Sequence, residues 1–295
     1  MKPEAASRED IPEQANPLAL EGIEFVEYAT TKPQALGQVL EAMGFCPVAR
    51  HRSREVTLYR QGHMNLVVNA HTDDARVTAT RGGKPVLSAV AFRTHDARRA
   101  LERCVARGAW SLTSHAGAME LCMPAIQGPS GSRFYFVDRW REFSIFDIDF
   151  VPIPGVDQQP LSVGGMGIFG LVQYAGISRS DDWIAFYQDL FGFALIPDDQ
   201  RFGIMPKGHL MRSPCGHFMW QLVEPEIWAL EMDLEPESLH RIGLSVTNVP
   251  AAVKALRARG VEFVDGVHLH PDDRGALTQH ALGSVSFELV HRPIM

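Results

Sequence analysis

The stretch that decides the fold is Gly283–Arg292, GSVSFELVHR. It alternates apolar and polar residues with the period of a strand that buries one face. Val285, Phe287, Leu289 and His291 fall on one side, and Ser286, Glu288 and Val290 on the other. A carboxylate in mid-strand is expensive to bury without a partner. Two readings follow: an edge strand with Glu288 in water, or a strand of a curved sheet whose cavity Glu288 enters. The rest of the chain has to choose between them.

Working outward, the chain repeats one unit four times. A strand pattern leads into a short amphipathic helix that stops at glycine, and further strands follow. The units open with GIEFVEYA (Gly22–Ala29), VLSAVAFR (Val86–Arg93), GIFGLVQYA (Gly167–Ala175) and RIGLSV (Arg241–Val246). Leu36, Val39, Leu40 and Met43 make the first helical stripe. Asp96 is positioned to cap the second helix, Ser180 the third, and Pro250 suits the first turn of the fourth. The long run Arg133–Val151 reads as strand. The stop glycines Gly44, Gly108, Gly192 and Gly260 stand 64, 84 and 68 residues apart. βαβββ units at this spacing indicate duplication and not a Rossmann sheet, which needs a helix after every strand. One unit alone would leave sheet edges open, so units should pair. The expected fold is α+β: two domains, each of paired βαβββ units forming a curved, half-barrel sheet around a cavity. Residues 1–18 are expected to be a flexible tail. The proline-rich link Pro152–Gly165 divides a domain at 19–155 from one at 156–295.

At 295 residues, with 45% hydrophobic and 21% charged, the chain has room for two ordinary domains with real cores. A net charge of -7 argues against a nucleic-acid surface. No run of 18 apolar residues is present, so no spanning helix is expected, and the charged N-terminus does not read as a secretory signal. Cys46, Cys104, Cys122 and Cys215 are scattered, with no CxxC pair, which suits reduced thiols in the cytoplasm. A homo-oligomer is compatible with all of this. No GxSxG elbow, phosphate-binding GxxxxGK[ST] loop or HExxH occurs. GGMGIFG (Gly164–Gly170) precedes a strand and so lacks the context of a nucleotide loop, and Cys215 beside His217 is a weak basis for a nucleophile pair.

The unit pattern resembles the vicinal-oxygen-chelate (glyoxalase/bleomycin-resistance/extradiol dioxygenase) superfamily. Within it, the chain is similar to the 4-hydroxyphenylpyruvate dioxygenase family. GIEFVEYA, HRSREVTLYRQGHMNLVVN, VAFRTHDARRAL, MELCMPAIQG and FDIDFV carry the likeness in the first half; WIAFYQDLFGF, RIGLSV and SFELVHR carry it in the second. The resemblance implies a structural first domain. It implies a second domain that holds iron(II) with two histidines and a glutamate, leaving positions open for a 2-oxo acid and O₂. The second half is shorter than the family's, and with its end at Met295 it is expected to lack the helix that closes the family's site.

Carried over position by position, the resemblance matches Glu288 to the family's glutamate ligand. Gly170, in Ile168-Phe169-Gly170-Leu171, stands where the first histidine belongs, and Arg241 where the second belongs. His240 is one residue away and reaches that face only through a β-bulge. Gln279, in ALTQHAL, corresponds to a glutamine that lines the family's substrate pocket, and His280 should face away from it. Arg241 suggests a substitution of charge: its guanidinium can pair with Glu288 where relatives place a cation. A different metal site from His209, His217 and Glu288 is the alternative; otherwise His209, His217 and His291 read as structural.

Three function classes remain open. One is a dioxygenase-like enzyme acting on an aromatic or oxo-acid substrate. The second is a metal-free lyase- or isomerase-type enzyme using Arg241. The third is a non-catalytic protein that binds a small aromatic or carboxylate-bearing molecule.

Overall fold

The computed structural model describes residues 15–71, 81–112, 121–141, 143–197, 208–224, 237–266 and 269–292. Most of the expected tail, and 204–207 of the third unit, lie outside these. The first unit runs β1 (Gly22–Ala29), α1 (Pro33–Ala42), β2 (Cys46–His51), β3 (Val56–Gln61) and β4 (Met64–Asn69). The second is β5 (Val86–Arg93), α2 (Ala97–Ala106), β6 (Ser111–Leu112), β7 (Ala125–Gln127) and β8 (Arg133–Val137). A short helix α3 (Ile145–Asp149) and β9 (Phe150–Pro152) follow. The third unit is β10 (Gly167–Tyr174), α4 (Ser180–Phe191), β11 (Ala194–Leu195), β12 (His209–Arg212) and β13 (Met219–Val223). The fourth is β14 (Ser238–Val246), α5 (Val249–Arg257), β15 (Gly275–Leu277) and β16 (Phe287–His291).

Among the described residues these strands form two sheets, ordered β6-β7-β8-β5-β1-β4-β3-β2-β9 and β11-β12-β13-β10-β14-β16-β15. Within each unit the opening strand lies parallel to the closing one: β1 to β4, β5 to β8, β10 to β13 and β14 to β16. The units join in antiparallel pairs through β1 with β5 and β10 with β14. Both junctions carry the same two irregularities, at Ile23/Phe25 and Glu27/Tyr28 in one and at Ile168/Gly170 and Val172/Gln173 in the other. The chain is therefore α+β, with two repeats of one paired-unit design.

Local chemistry explains the helix ends. The Asp96 carboxylate accepts from Arg99 N–H (2.9 Å) and Asn248 Oδ1 from Ala251 N–H (2.9 Å). Ser180 is not a cap but the first helical residue; its N–H is satisfied from another element, by Glu224 Oε1 at 3.2 Å. The helix ends at Gly192, whose φ of 71° is easy only for glycine. The stretch expected to be one long strand is divided, because Ser144 and Asp147 form a capping box that starts α3.

The helix-covered faces of both sheets share one core. Phe92 and Phe134 of the first sheet meet Phe191 of α4 and Trp220 of the second, with ring centroids 5.3–6.2 Å apart. Gln173 sits at its centre, where Tyr187 Oη–H (2.6 Å) and Trp220 Nε1–H (3.1 Å) donate to its Oε1. The opposite, inner face of the first sheet is filled: Phe25, Leu58, Val67, Tyr135, Phe146 and Phe150 form a second apolar cluster there. The inner face of the second sheet carries charge instead. Among the described residues, no helix is long and apolar enough to cross a membrane.

Candidate functional site

The inner face of the second sheet is built at the parallel pair β14/β16, where Ile242 stands beside Phe287 and Gly243 beside Glu288. Phe287 and Leu289 enter the shared core, so by alternation Glu288 points inward. Arg241 points inward as well. Both are buried, at 2% and 4% exposure, and the Arg241 Nε–H donates to Glu288 Oε2 at 3.2 Å. Glu288 is therefore not in water at an edge but in the interior, and the pairing of Arg241 with Glu288 is formed.

His240 reaches the same place through a bulge. Val172 pairs with Arg241 and Gln173 with Leu239, which leaves His240 as the extra residue of β14. Its ring stacks on Tyr174, with centroids 3.9 Å apart and planes within 19°. Its Nδ1 lies 3.3 Å from Arg241 Nη1. A guanidinium can only donate, so Nδ1 must accept, and the ring is the neutral Nε2–H tautomer. Burial, then Arg241, then His280 push the His240 pKa down to about 3, consistent with that tautomer. Burial raises the Glu288 carboxyl above the ordinary range, opposed by the charge and hydrogen bond of Arg241.

Next to the pair, Ser286 is 1% exposed. It precedes Phe287, the partner of Ile242, so by alternation it falls on the same inner face as Arg241. Sequence reading put Ser286 on the Glu288 side without assigning it a role; alternation was the only signal available.

Gln279 and His280 take places that strand alternation does not give. β15 ends at Leu277, which pairs with Glu288, whereas beyond it Ala281 bridges Val285, a register shifted by one residue. After that shift it is His280 whose ring meets His240, with centroids 5.7 Å apart. Gln279 is exposed and borders a cleft of about 230 Å³ formed with Val39 of α1, Met43 just after it, Val261 and Val285. Arg241 and Glu288 do not line that cleft. The alternative set of His209, His217 and Glu288 is not assembled either. His217 Nδ1–H donates to the Glu21 carbonyl (3.0 Å), and His209 opens β12 beside Leu222.

The donor chemistry at this site does not fit iron(II). Of the three positions that the resemblance assigns to ligands, Gly170 has no side chain. A Cβ there would run into the Met219 carbonyl on the adjoining strand, so the backbone leaves no room for one. Arg241 supplies a cation at the second position. Its guanidinium donates to both His240 and Glu288, the two side chains that would otherwise offer metal donors. Among the described residues no group of three His, Cys, Asp or Glu could hold a metal. What the arrangement can do is hold an anion: Arg241 Nη2 is buried and has no hydrogen-bond partner among the described residues.

Comparison with known proteins agrees with the fold. Residues 14–151 match the family model for the N-terminal domain of hydroxyphenylpyruvate dioxygenase, and residues 175–279 that of the glyoxalase/bleomycin resistance protein/dioxygenase superfamily. A 4-hydroxyphenylpyruvate dioxygenase of Pseudomonas sp. (strain P.J. 874) is 41% identical over 181 residues, which cover 60% of this chain and 50% of that protein. The 4-hydroxyphenylpyruvate dioxygenase of Pseudomonas aeruginosa is 34% identical over 268 residues, covering 85% and 73%. The 3-dehydroshikimate dehydratase of Pseudomonas aeruginosa is 32% identical over 273 residues, covering 87% and 42%. Among solved structures, a xylose isomerase-like TIM barrel/4-hydroxyphenylpyruvate dioxygenase fusion protein superposes with a TM-score of 0.76 at 25% identity, covering 96% of this chain and 51% of that one. The matched regions thus span from under half to about three quarters of these relatives' lengths. The chain belongs to the 4-hydroxyphenylpyruvate dioxygenase family of the vicinal-oxygen-chelate superfamily.

Proposed function

We propose that this protein binds a small carboxylate-bearing ligand, aromatic or oxo acid, on the inner face of its second sheet, and does so without metal. One observation carries the reading: the Arg241 guanidinium bridges His240 and Glu288 and keeps a buried nitrogen that has no hydrogen-bond partner among the described residues. In this reading Arg241 anchors the carboxylate and Tyr174 with His240 offers an aromatic wall. Where chemistry follows, Glu288 is the group to move a proton, since burial raises its pKa against the pull of Arg241. That chemistry is of lyase or isomerase type. The dehydratase name of one relative points the same way, although this chain matches only 42% of that protein. A dioxygenase reaction requires an iron centre that the donor set does not supply, so the oxidoreductase reading stands second.

The same proposal treats 19–155 as the structural half and 156–295 as the half that binds. It places the protein in the cytoplasm, on the strength of four free cysteines. The partner is a small molecule and neither nucleic acid nor membrane; a homo-oligomer is compatible with sheets that end, among the described residues, at β6, β9, β11 and β15.

The test is calorimetric titration of phenylpyruvate into the protein with excess EDTA, for wild type and Arg241→Lys. Micromolar binding that EDTA leaves unchanged and Arg241→Lys weakens at least tenfold is expected. Binding that needs added iron(II) would overturn the reading.

A further inference from the structure

Of the eight buried side-chain atoms without a hydrogen-bond partner among the described residues, two belong to the inner face of the second sheet. Ser286 Oγ is shielded from solvent and has no hydrogen-bond partner among the described residues, as is true of Arg241 Nη2. Arg241 and Ser286 each immediately precede the first pair of the β14/β16 ladder, Ile242 with Phe287; those two side chains enter the shared core, so Arg241 and Ser286 fall on the opposite, inner face. A hydroxyl sealed in the interior without a partner destabilises the protein that carries it. Alanine is the same size apart from that oxygen and would avoid the cost. Buried polar groups left unpaired are few in native proteins and call for a specific explanation.

The other contacts of Arg241 narrow that explanation. Its Nε–H is taken by Glu288 and one Nη1–H by His240. Nη2 is therefore the nitrogen left to face a ligand. Arg241 Nη2 can only donate and the Ser286 hydroxyl is able to donate, so an acceptor satisfies both, and their nearby positions favour one with two oxygens at short separation. A carboxylate has that shape.

Resting on the carboxylate-binding reading above, we propose that Ser286 is the second donor of a two-pronged carboxylate site. One ligand oxygen accepts from Arg241 Nη2–H and the other from Ser286 Oγ–H. In this arrangement the carboxylate alone is recognised. A neighbouring keto oxygen is dispensable, because nothing chelates it. The ligand class is accordingly aromatic monocarboxylates, with or without a 2-oxo group. Ser286 is a binding residue whose hydroxyl is kept at a cost to the free protein's stability.

The experiment compares wild type, Ser286→Ala and Arg241→Lys by calorimetric titration with EDTA present. The probes are 3-phenylpropionate, phenylpyruvate and the neutral ketone 4-phenyl-2-butanone, and the Tm of each ligand-free protein is also measured. A hydrogen bond to a charged group corresponds to a loss of about tenfold or more on deletion. Ser286→Ala should weaken both carboxylates by that factor and leave the ketone unaffected. Wild type should bind the two carboxylates within about threefold of each other, and free Ser286→Ala should have an unchanged or slightly raised Tm, by roughly 2 °C. If Ser286→Ala binds carboxylates like wild type while Arg241→Lys does not, the two-pronged site is wrong and the Arg241 reading survives. A lowered Tm in free Ser286→Ala would show the hydroxyl to be structural and also overturn it. If wild type binds neither carboxylate, both the site and the reading beneath it fall.

Discussion

Removing Glu288 should leave Arg241 as an uncompensated cation in the interior. Breaking a buried ion pair from one side typically costs about 3–5 kcal/mol, because the remaining charge cannot be rehydrated. Here the contact is a single hydrogen bond at 3.2 Å, not a bidentate fork, and Arg241 keeps His240 as an acceptor. The lower end, about 3 kcal/mol, is therefore expected for Glu288→Ala. For a chain of this size that corresponds to a Tm lower by roughly 6–10 °C. Urea unfolding at neutral pH, read by tryptophan fluorescence and far-UV circular dichroism together, measures it. The double variant Arg241→Met/Glu288→Leu removes both charges and should recover most or all of the loss, since apolar replacement of a buried pair is often neutral or stabilising. If Glu288→Ala loses less than about 0.5 kcal/mol, or the double variant is the least stable of the set, the paired, buried state of these residues is refuted.

Three further outcomes follow from the same geometry. With its pKa near 3 in the folded protein, His240 stays neutral while an unfolded chain takes up a proton between pH 6.5 and 3. The stability it contributes is thus present above pH 6.5 and lost as pH falls, by up to about 1.4 kcal/mol per pH unit; His240→Phe should flatten this acid limb in urea midpoints taken at pH 7, 5 and 4, and an unchanged slope would contradict it. Gly170→Ala should destabilise by about 3 kcal/mol or more, because the new methyl meets the Met219 backbone carbonyl and the strands must part; a Tm within 1–2 °C of wild type would disprove that close approach. Asp96→Ala should cost about 1 kcal/mol through the lost cap on Arg99 N–H, visible as a shifted urea midpoint at constant m-value.

The fold was legible because its signals are local and repeated. Period-2 strands, apolar stripes and glycine stops recur four times, so errors in one copy are corrected by the others. The inward side of Glu288 followed from alternation within one strand, and its partner Arg241 from a resemblance carried to a single position. What could not be read depends on counting across strands. The bulge that turns His240 toward Arg241 is set by the β10/β14 junction and repeats at Glu27/Tyr28, yet no residue in LHRIGL announces it. The one-residue shift between Leu277–Glu288 and Ala281–Val285 brings His280, not Gln279, to the His240 ring, because alternation fails once a register slips. The division of Arg133–Val151 was legible in principle from Ser144 and Asp147, the three-residue spacing of a capping box, but the apolar run masked it. Alternation put Ser286 on the Glu288 side, but nothing in the sequence marked its hydroxyl as unpaired, since that is a property of its surroundings.

The central claim is that a guanidinium occupies a position that the family resemblance assigns to a metal ligand. Its most direct test is anaerobic titration of the protein, stripped with chelator, with iron(II), in parallel on wild type and Glu288→Ala, with bound metal counted after gel filtration. The account predicts far less than one iron per chain in both proteins and no difference between them. One iron per chain in wild type, lost in Glu288→Ala, would contradict it.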